Sequence, residues 1–333
     1  MDSKRVSVAN SSVKNSGNII DDQWRKEYQG RRYLENLSDD ELRQRGHAIF
    51  RNFMTINAEG KSSPLSVSHR LHAYWRRRFN HFLEECEHRF GPYPGGLGTE
   101  FIERLKFPRP TSPRVLAARE KIGQIQYEEG KYLVKFGQRK YLEEMLHKGI
   151  VRISPASAFS DASFNDAIRD TELDFSFHLY KPAMEDVQPY MAGLEVNQEM
   201  LDGSAIVSET AKEDFFIYCL GATYDVCLFD DFEADACLVI TDLKAFIDKL
   251  LWTVHHALDA RGHTFSPVTY IDPMTETGKG VHLALRKNAY YSYQDEVRGV
   301  WLSSDKSKPL SVQFVSLGNL EEIAHLIELK TDA

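Results

Sequence analysis

The chain has 333 residues, 42% apolar and 27% charged, a balance that excludes a wholly disordered or collagen-like protein. Its net charge of −8 argues against a protein that coats nucleic acid, yet the charge is uneven. Residues 1–114 hold 20 Lys and Arg against 14 Asp and Glu, and the remainder holds 21 against 35. A basic front and an acidic back imply two units with different partners, or two units that dock on each other.

Apolar runs such as Ala236–Thr241 fall far short of the ~20 residues needed to cross a bilayer, so no membrane partner is expected. No basic segment followed by an apolar one opens the chain, so no secretory signal is expected either. The cysteines, Cys86, Cys219, Cys227 and Cys237, contain no CxxC and fit no zinc spacing. Reduced thiols, a cytoplasmic setting and no metal site follow as expectations.

In chain order, residues 1–20 are rich in Ser, Asn and Val without periodicity and read as a disordered arm. Residues 21–95 read as a helical domain. Trp24 and Tyr28 share a stripe, and Ser38 with Glu41 forms a capping-box pattern before a helix bearing Leu42, Ile49, Phe50 and Phe53. A further helix over 68–90 places Leu71, Tyr74, Trp75, Phe79, Phe82, Leu83 and Cys86 at spacings of three and four, with Arg76, Arg77 and Arg78 on its other side. Pro92, Pro94 and the neighbouring glycines end it, and 96–126, with Pro108, Pro110 and Pro113, reads as an extended connector.

From 127 to 330 short strands predominate. Strands are predicted over 132–136, 150–154, 215–222, 236–241, 268–271, 296–302 and 312–315, the sixth led in by 290–293. Helices are predicted over 138–147, 243–258 and 320–329. The fold class is α+β, a mixed or antiparallel sheet preceded by helices. There is no G-x-G-x-x-G and no P-loop, so Rossmann and P-loop readings lack support.

Two stretches carry candidate chemistry. The first runs from Gly149 to Asp170, where a strand containing Arg152 and ending at Ser154 enters a loop with Ser157, Asp161, Asn165, Asp166 and Arg169. These loop residues suit helix caps and Asx-turns, an architectural role. Arg152, between Val151 and Ile153, faces away from its neighbours, and its guanidinium suits either a phosphate oxygen pair or a local carboxylate. The second stretch, Tyr290 to Trp301, sets Glu296, Arg298 and Val300 on one strand face behind three tyrosines. Glu296 suits a cleft-rim general base or cation stabiliser, or an acid–base ladder on a solvated face. His255 and His256 lack a further ligand at metal spacing, and the 230–235 acidic turn reads as a solvated loop. Lys279 and Lys287 flank a segment suited to cover a site. A PD-(D/E)xK nuclease needs lysine two residues after its acid, where this chain has Arg298, so a nuclease is a distant third reading.

Taken together, Tyr132-Leu-Val-Lys135-Phe136, Ile150-Val-Arg-Ile-Ser-Pro155, the Asn165-Asp166 pair, Ile217–Thr223 and Tyr293-Gln-Asp-Glu296-Val-Arg298 resemble, in order, the elements of a widespread family of bacterial and phage proteins. The resemblance covers about residues 127–318. The same order is similar to diverged ADP-ribosyltransferases of the DarT-like kind, which use NAD as substrate. That resemblance implies Glu296 as the catalytic glutamate, Lys135 or Arg152 as the cofactor-gripping cation, and Ser154, Asn165 and Asp166 around the cofactor, with Tyr293 stacking on nicotinamide. Lys135 stands where many such transferases have histidine, and no S-T-S triplet follows. It further implies a mono-ADP-ribosyltransferase or NAD-consuming effector of a toxin or anti-phage system, with a protein or nucleic-acid acceptor and an antitoxin or regulatory partner. The alternative is a nucleotide sensor or partner-binding protein with the same fold and no turnover. The arginines of the front part, Arg76 to Arg78 foremost, suit a nucleic-acid face or a docking face for the acidic back.

Overall fold

The computed structural model describes residues 6–57, 59–92, 111–125, 128, 130–165, 167–181, 184–190, 203–278 and 280–329. Three helices open the chain: α1 (Val6–Arg31), α2 (Asp39–Phe53) and α3 (His72–Phe90). Helix α1 starts at Val6, so the stretch read as a disordered arm is helical from that residue onward. The polar Ser/Asn composition of its first turns hid the continuation of a long helix. Helix α2 has the predicted box, with the Ser38 hydroxyl accepting from the Glu41 N–H and the Glu41 carboxylate accepting from the Ser38 N–H.

Strands β1 (Met54–Ile56) and β2 (Ser62–Pro64) form a small hairpin between α2 and α3. The 113–121 part of the predicted extended connector is a helix, α4 (Pro113–Lys121), with proline at its first position, where the missing N–H costs nothing. Residues 96–110 of that connector lie outside the described residues.

The rest of the chain builds an eight-stranded antiparallel sheet with flanking pieces. In order come β3 (Leu133–Gly137), α5 (Arg139–Lys148), β4 (Ile150–Pro155), β5 (Asp174–Tyr180), β6 (Ser204–Thr210), β7 (Phe216–Gly221) and β8 (Ala236–Ile240). Then follow α6 (Leu243–Ala257), β9 (Ala260–Pro267), β10 (Thr269–Ile271), β11 (Arg286–Asn288), β12 (Glu296–Ser303), β13 (Gln313–Ser316) and β14 (Ala324–Glu328). The sheet runs β13-β4-β7-β3-β8-β14, with β12 on the other edge of β7 and β9 beyond it. Strands β5 and β6 form a separate hairpin, and β10 pairs with β11 in parallel.

The predicted helix over 320–329 is instead strand β14, paired with β8 from Ala324↔Ile240 to Glu328↔Ala236. Its apolar spacing fits a helix, but the open edge of β8 supplies hydrogen bonds that outweigh a weak local preference.

One edge of β7 holds two partners. Strand β4 pairs at Ser154↔Ile217 and Pro155↔Phe216, and β3 at Val134↔Gly221. The two strands part around Cys219, leaving a split in the sheet. Gly149, left-handed at φ 67°, ends α5 and turns the chain into β4, and a Cβ there would sit 2.1 Å from the Gly318 carbonyl oxygen.

One sheet face carries Leu133, Val151, Ile153, Tyr218, Leu220, Leu238, Val297 and Trp301, packed with Phe246, Leu250 and Val254 of α6. The helices α1–α3 pack around Tyr28, Trp75, Phe82 and Cys86, but this core also contains Tyr180, Met274 and Ala289. The front helices therefore share a core with the back of the chain. At that contact Asp272, fully buried, accepts from Arg45 at 2.5 Å and Arg78 at 2.7 Å.

Candidate functional site

Alternation along the strands sorts the candidate residues by face. Val297 pairs with Leu220 within the α6-side core, so Glu296 and Arg298 lie on the opposite face with their partners Gly221 and Cys219. Ser154 pairs with Ile217 on that same face, which also takes Arg152, since Val151 and Ile153 point into the core. Arg152 and Glu296 thus share one face, on strands either side of β7. Lys135 does not, because its neighbour Leu133 and its partner Leu238 belong to the α6-side core.

Lys135 has a local task. Its ammonium donates to the Cys219 carbonyl at 2.7 Å and sits 4.7 Å from the Tyr218 ring centre. Where β4 has left β7 and β3 has barely joined, that carbonyl is met by the lysine. Burial pulls the Lys135 ammonium below its ordinary value. Lys135 thus rises from the α6-side face and stitches the split, where its ammonium still feels the charges of Glu296 and Arg152.

Glu296 is not at an open rim. It is 6% exposed and begins β12 just after Asp295, whose left-handed backbone (φ 44°) turns the tyrosine-rich turn into the strand. Lys287 of β11 donates to its Oε2 at 2.5 Å, and Arg298 donates through Nε to its Oε1. Arg298, fully buried, also grips Glu172 with both terminal nitrogens, at 2.6 and 2.7 Å, and donates to the Ala284 carbonyl at 3.0 Å. Burial pushes the Glu296 carboxyl up, but Arg298 and Lys287 overcome it and hold the group well below the usual carboxylate range. Lys287 is held above its ordinary value, with Glu296 and then Glu172 outweighing the burial that opposes its charge. The result is a buried network, Glu172–Arg298–Glu296–Lys287, in which the two cations hold Glu296 ionised at neutral pH while burial pushes the Glu172 carboxyl up.

Arg152 is exposed, and among the described residues its guanidinium makes no ion pair or hydrogen bond. Ser154, two residues along the same face, is buried. Asn165 is architectural: its Oδ1 accepts from the Ala167 and Ile168 N–H groups and its Nδ2 donates to the Asp231 carbonyl at 3.1 Å. Ser157 and Asp161 are likewise used locally, on Asp214 and the Ser163 N–H. Asp166 and Lys279 lie outside the described residues.

The Tyr293 ring carries the Arg51 guanidinium 3.8 Å from its centre, and Arg51 is ion-paired with Asp231. Burial pushes the Tyr293 hydroxyl up to about 12. One face of the ring expected to stack on nicotinamide is therefore taken by Arg51, and Asp231, read from the sequence as part of a solvated acidic turn, is a partly buried ion-pair partner.

Front helices hold the segment that delivers Glu296. Asn52 donates to the Tyr290 carbonyl at 2.7 Å and accepts from the Ser292 hydroxyl and the Tyr293 N–H. The Trp75 indole donates to Ser292 at 2.9 Å. Of the arginine triplet, Arg76 pairs with Asp21 at 2.7 Å, Arg77 with Glu27, and Arg78 with Asp272 and Glu276. Two of the three neutralise carboxylates of α1 and the third docks the back of the chain, so the helix presents no uncompensated basic stripe.

Glu172, Arg45 and Asp272 escaped the sequence reading. Only Arg45 left a signal, since its spacing from Leu42 and Ile49 puts it on the buried stripe of α2. The histidine pair on α6 does have a neighbour: His255 Nδ1 lies 3.0 Å from His263 Nδ1 of β9. Among the described residues no group of three or more metal-ligating side chains forms. All four cysteines are free. No helix among the described residues is long and apolar enough to cross a membrane. A groove of about 430 Å³ floored by Phe53, Phe79 and Leu83 lies between α1 and α3, and none of its lining residues belongs to the sheet. The chain matches no family model, no curated protein and no solved structure.

Proposed function

We propose that the protein is a mono-ADP-ribosyltransferase or NAD-consuming enzyme with Glu296 as its catalytic carboxylate and Arg152 as its pyrophosphate anchor. The observation that carries this reading is the placement of an exposed, unpaired arginine and an ionised glutamate on one face of the sheet, flanking β7 where β3 and β4 part. Departure of nicotinamide breaks the ribose C1′–N bond, the electron pair leaves with the ring, and positive charge develops on the sugar. A fixed, ionised carboxylate stabilises that charge, and its anchoring by Arg298 and Lys287 means that no reorganisation is needed when the charge appears. The acceptor, protein, nucleic acid or water, then bonds to C1′ and loses a proton. Ser154, buried beside Arg152 on this face, frames the anchor.

A second reading has its own support. Both oxygens of Glu296 already meet cations and the side chain is 6% exposed, as suits a nucleotide-sensing protein without turnover. Incubation with NAD labelled in its adenosine part, offered protein, DNA, RNA or water as acceptor, separates the two. Release of nicotinamide with transfer of label is expected for the enzyme. Saturable NAD binding with no release over hours supports the sensor, and neither binding nor release defeats both.

A further inference from the structure

Phe314 is a large aromatic side chain left 69% exposed on a strand. Its position is specific. It pairs directly with Arg152 across β13 and β4, and both point away from the α6-side core that receives their neighbours Val315, Val151 and Ile153. Directly opposed residues of an antiparallel pair carry their side chains side by side, with Cβ atoms about 5 Å apart. The sheet thus presents one flat apolar ring next to one unpaired guanidinium, the two groups that a single nucleotide unit requires: a surface for its base and a cation for its phosphate.

We infer that Phe314 is the base-stacking residue of the nucleotide site, receiving the adenine ring of a dinucleotide whose pyrophosphate lies on Arg152; this rests on the NAD reading above. Three residues stand in order across one face: Glu296 on β12, Arg152 on β4 and Phe314 on β13, with β7 between the first two. At a strand spacing of about 4.8 Å, Arg152 lies roughly two spacings from Glu296 and Phe314 roughly three. The order ribose carbon, pyrophosphate, adenine in an extended NAD molecule is the order carboxylate, guanidinium, aromatic ring on the sheet. With Phe314 69% exposed, a base stacked on it displaces no covering element among the described residues.

The test compares two ligands that share the reacting end and differ in the adenylate half, which carries the adenine. NAD carries it, and nicotinamide mononucleotide does not. With wild-type protein and the variants Phe314→Ala and Phe314→Trp, binding of both is measured by calorimetry and nicotinamide release by chromatography. Loss of one base–aromatic stack weakens NAD binding by about 5- to 150-fold. Phe314→Ala is expected to show that loss for NAD and little change for the mononucleotide, with Phe314→Trp restoring NAD binding. Equal NAD binding by wild type and Phe314→Ala overturns the stacking role and leaves the NAD reading standing. An equal loss for both ligands also overturns it, since the adenine is then not what Phe314 touches. Wild-type protein that binds neither ligand defeats the NAD reading itself, and the stacking role with it.

Discussion

Lys287 and Glu296 form an ion pair of 2.5 Å in which each side chain is 6% exposed, and Arg298 closes the other oxygen of the same carboxylate. Breaking such a buried pair from one side strands a charge, which typically costs about 3–5 kcal/mol. Lys287→Met and Glu296→Gln are each expected to destabilise the fold, with the double variant losing clearly less than the sum. Urea unfolding of the four proteins gives the coupling directly. Strict additivity would show that the pair does not interact as the geometry requires.

Glu296→Gln also addresses catalysis. Retained size with lost charge is expected to lower nicotinamide release by on the order of 10²–10³, while NAD affinity stays near wild type. Readings are taken at a temperature where circular dichroism shows the variant folded. Unchanged turnover in folded protein removes Glu296 from the mechanism.

Acid sensitivity should come in two windows. His81 is 6% exposed; burial holds its imidazole down at about 4, and its Nε2 has no partner while Nδ1 meets the Tyr33 hydroxyl. The unfolded chain therefore binds the proton first, and the stability that neutral His81 contributes is complete above about pH 6.5 and lost as pH falls toward about 4. The loss is on the order of 3 kcal/mol. Asp272 and Glu296, held below the ordinary carboxylate range against the pull of burial, add a second loss that begins below about pH 4. His81→Asn keeps an acceptor for Tyr33 and is expected to flatten the upper window alone. An unaltered slope between pH 6.5 and 4 would count against the assignment.

Asp272 receives Arg45 and Arg78 in the core shared by front helices and back strands. Asp272→Asn leaves buried Arg45 without a counter-charge and Arg78 with Glu276 alone, and is expected to cost about 3–5 kcal/mol. Because the core spans both parts, thermal unfolding of wild type should show one transition rather than two. Separate melting of a 21–90 unit would contradict that.

Gly149→Ala is expected to destabilise by roughly 1–3 kcal/mol, since φ is positive and the new Cβ would meet the Gly318 carbonyl. Gly30→Ala, on α1 with nothing within 4 Å of its Cβ, is the control and should be neutral or stabilising. Equal effects at the two sites would remove the steric argument.

Much of the local structure is written in local patterns. The Ser38/Glu41 box, the three-and-four spacing of α3 and the short apolar runs of β3, β4 and β8 each specify an element, because capping and periodic burial depend on residues within a turn or a strand. Alternation in Glu296-Val-Arg298 even indicates that the two charged groups share a face. What they meet there is a different matter. Glu172 lies 126 residues from Arg298, and Asp272 lies 227 from Arg45, separations at which composition and spacing carry no information about pairing. The same limit turned an apolar helical spacing at 320–329 into β14, because the free edge of β8 decided it. The sequence by itself determined which residues are apolar, which are charged and how each segment alternates. Only the tertiary structure decided that Glu296 is buried between cations, that Lys135 rises from the α6-side face, and that Arg152 and Phe314 stand together in the open, since strand register and sheet order join segments that have no local reason to meet.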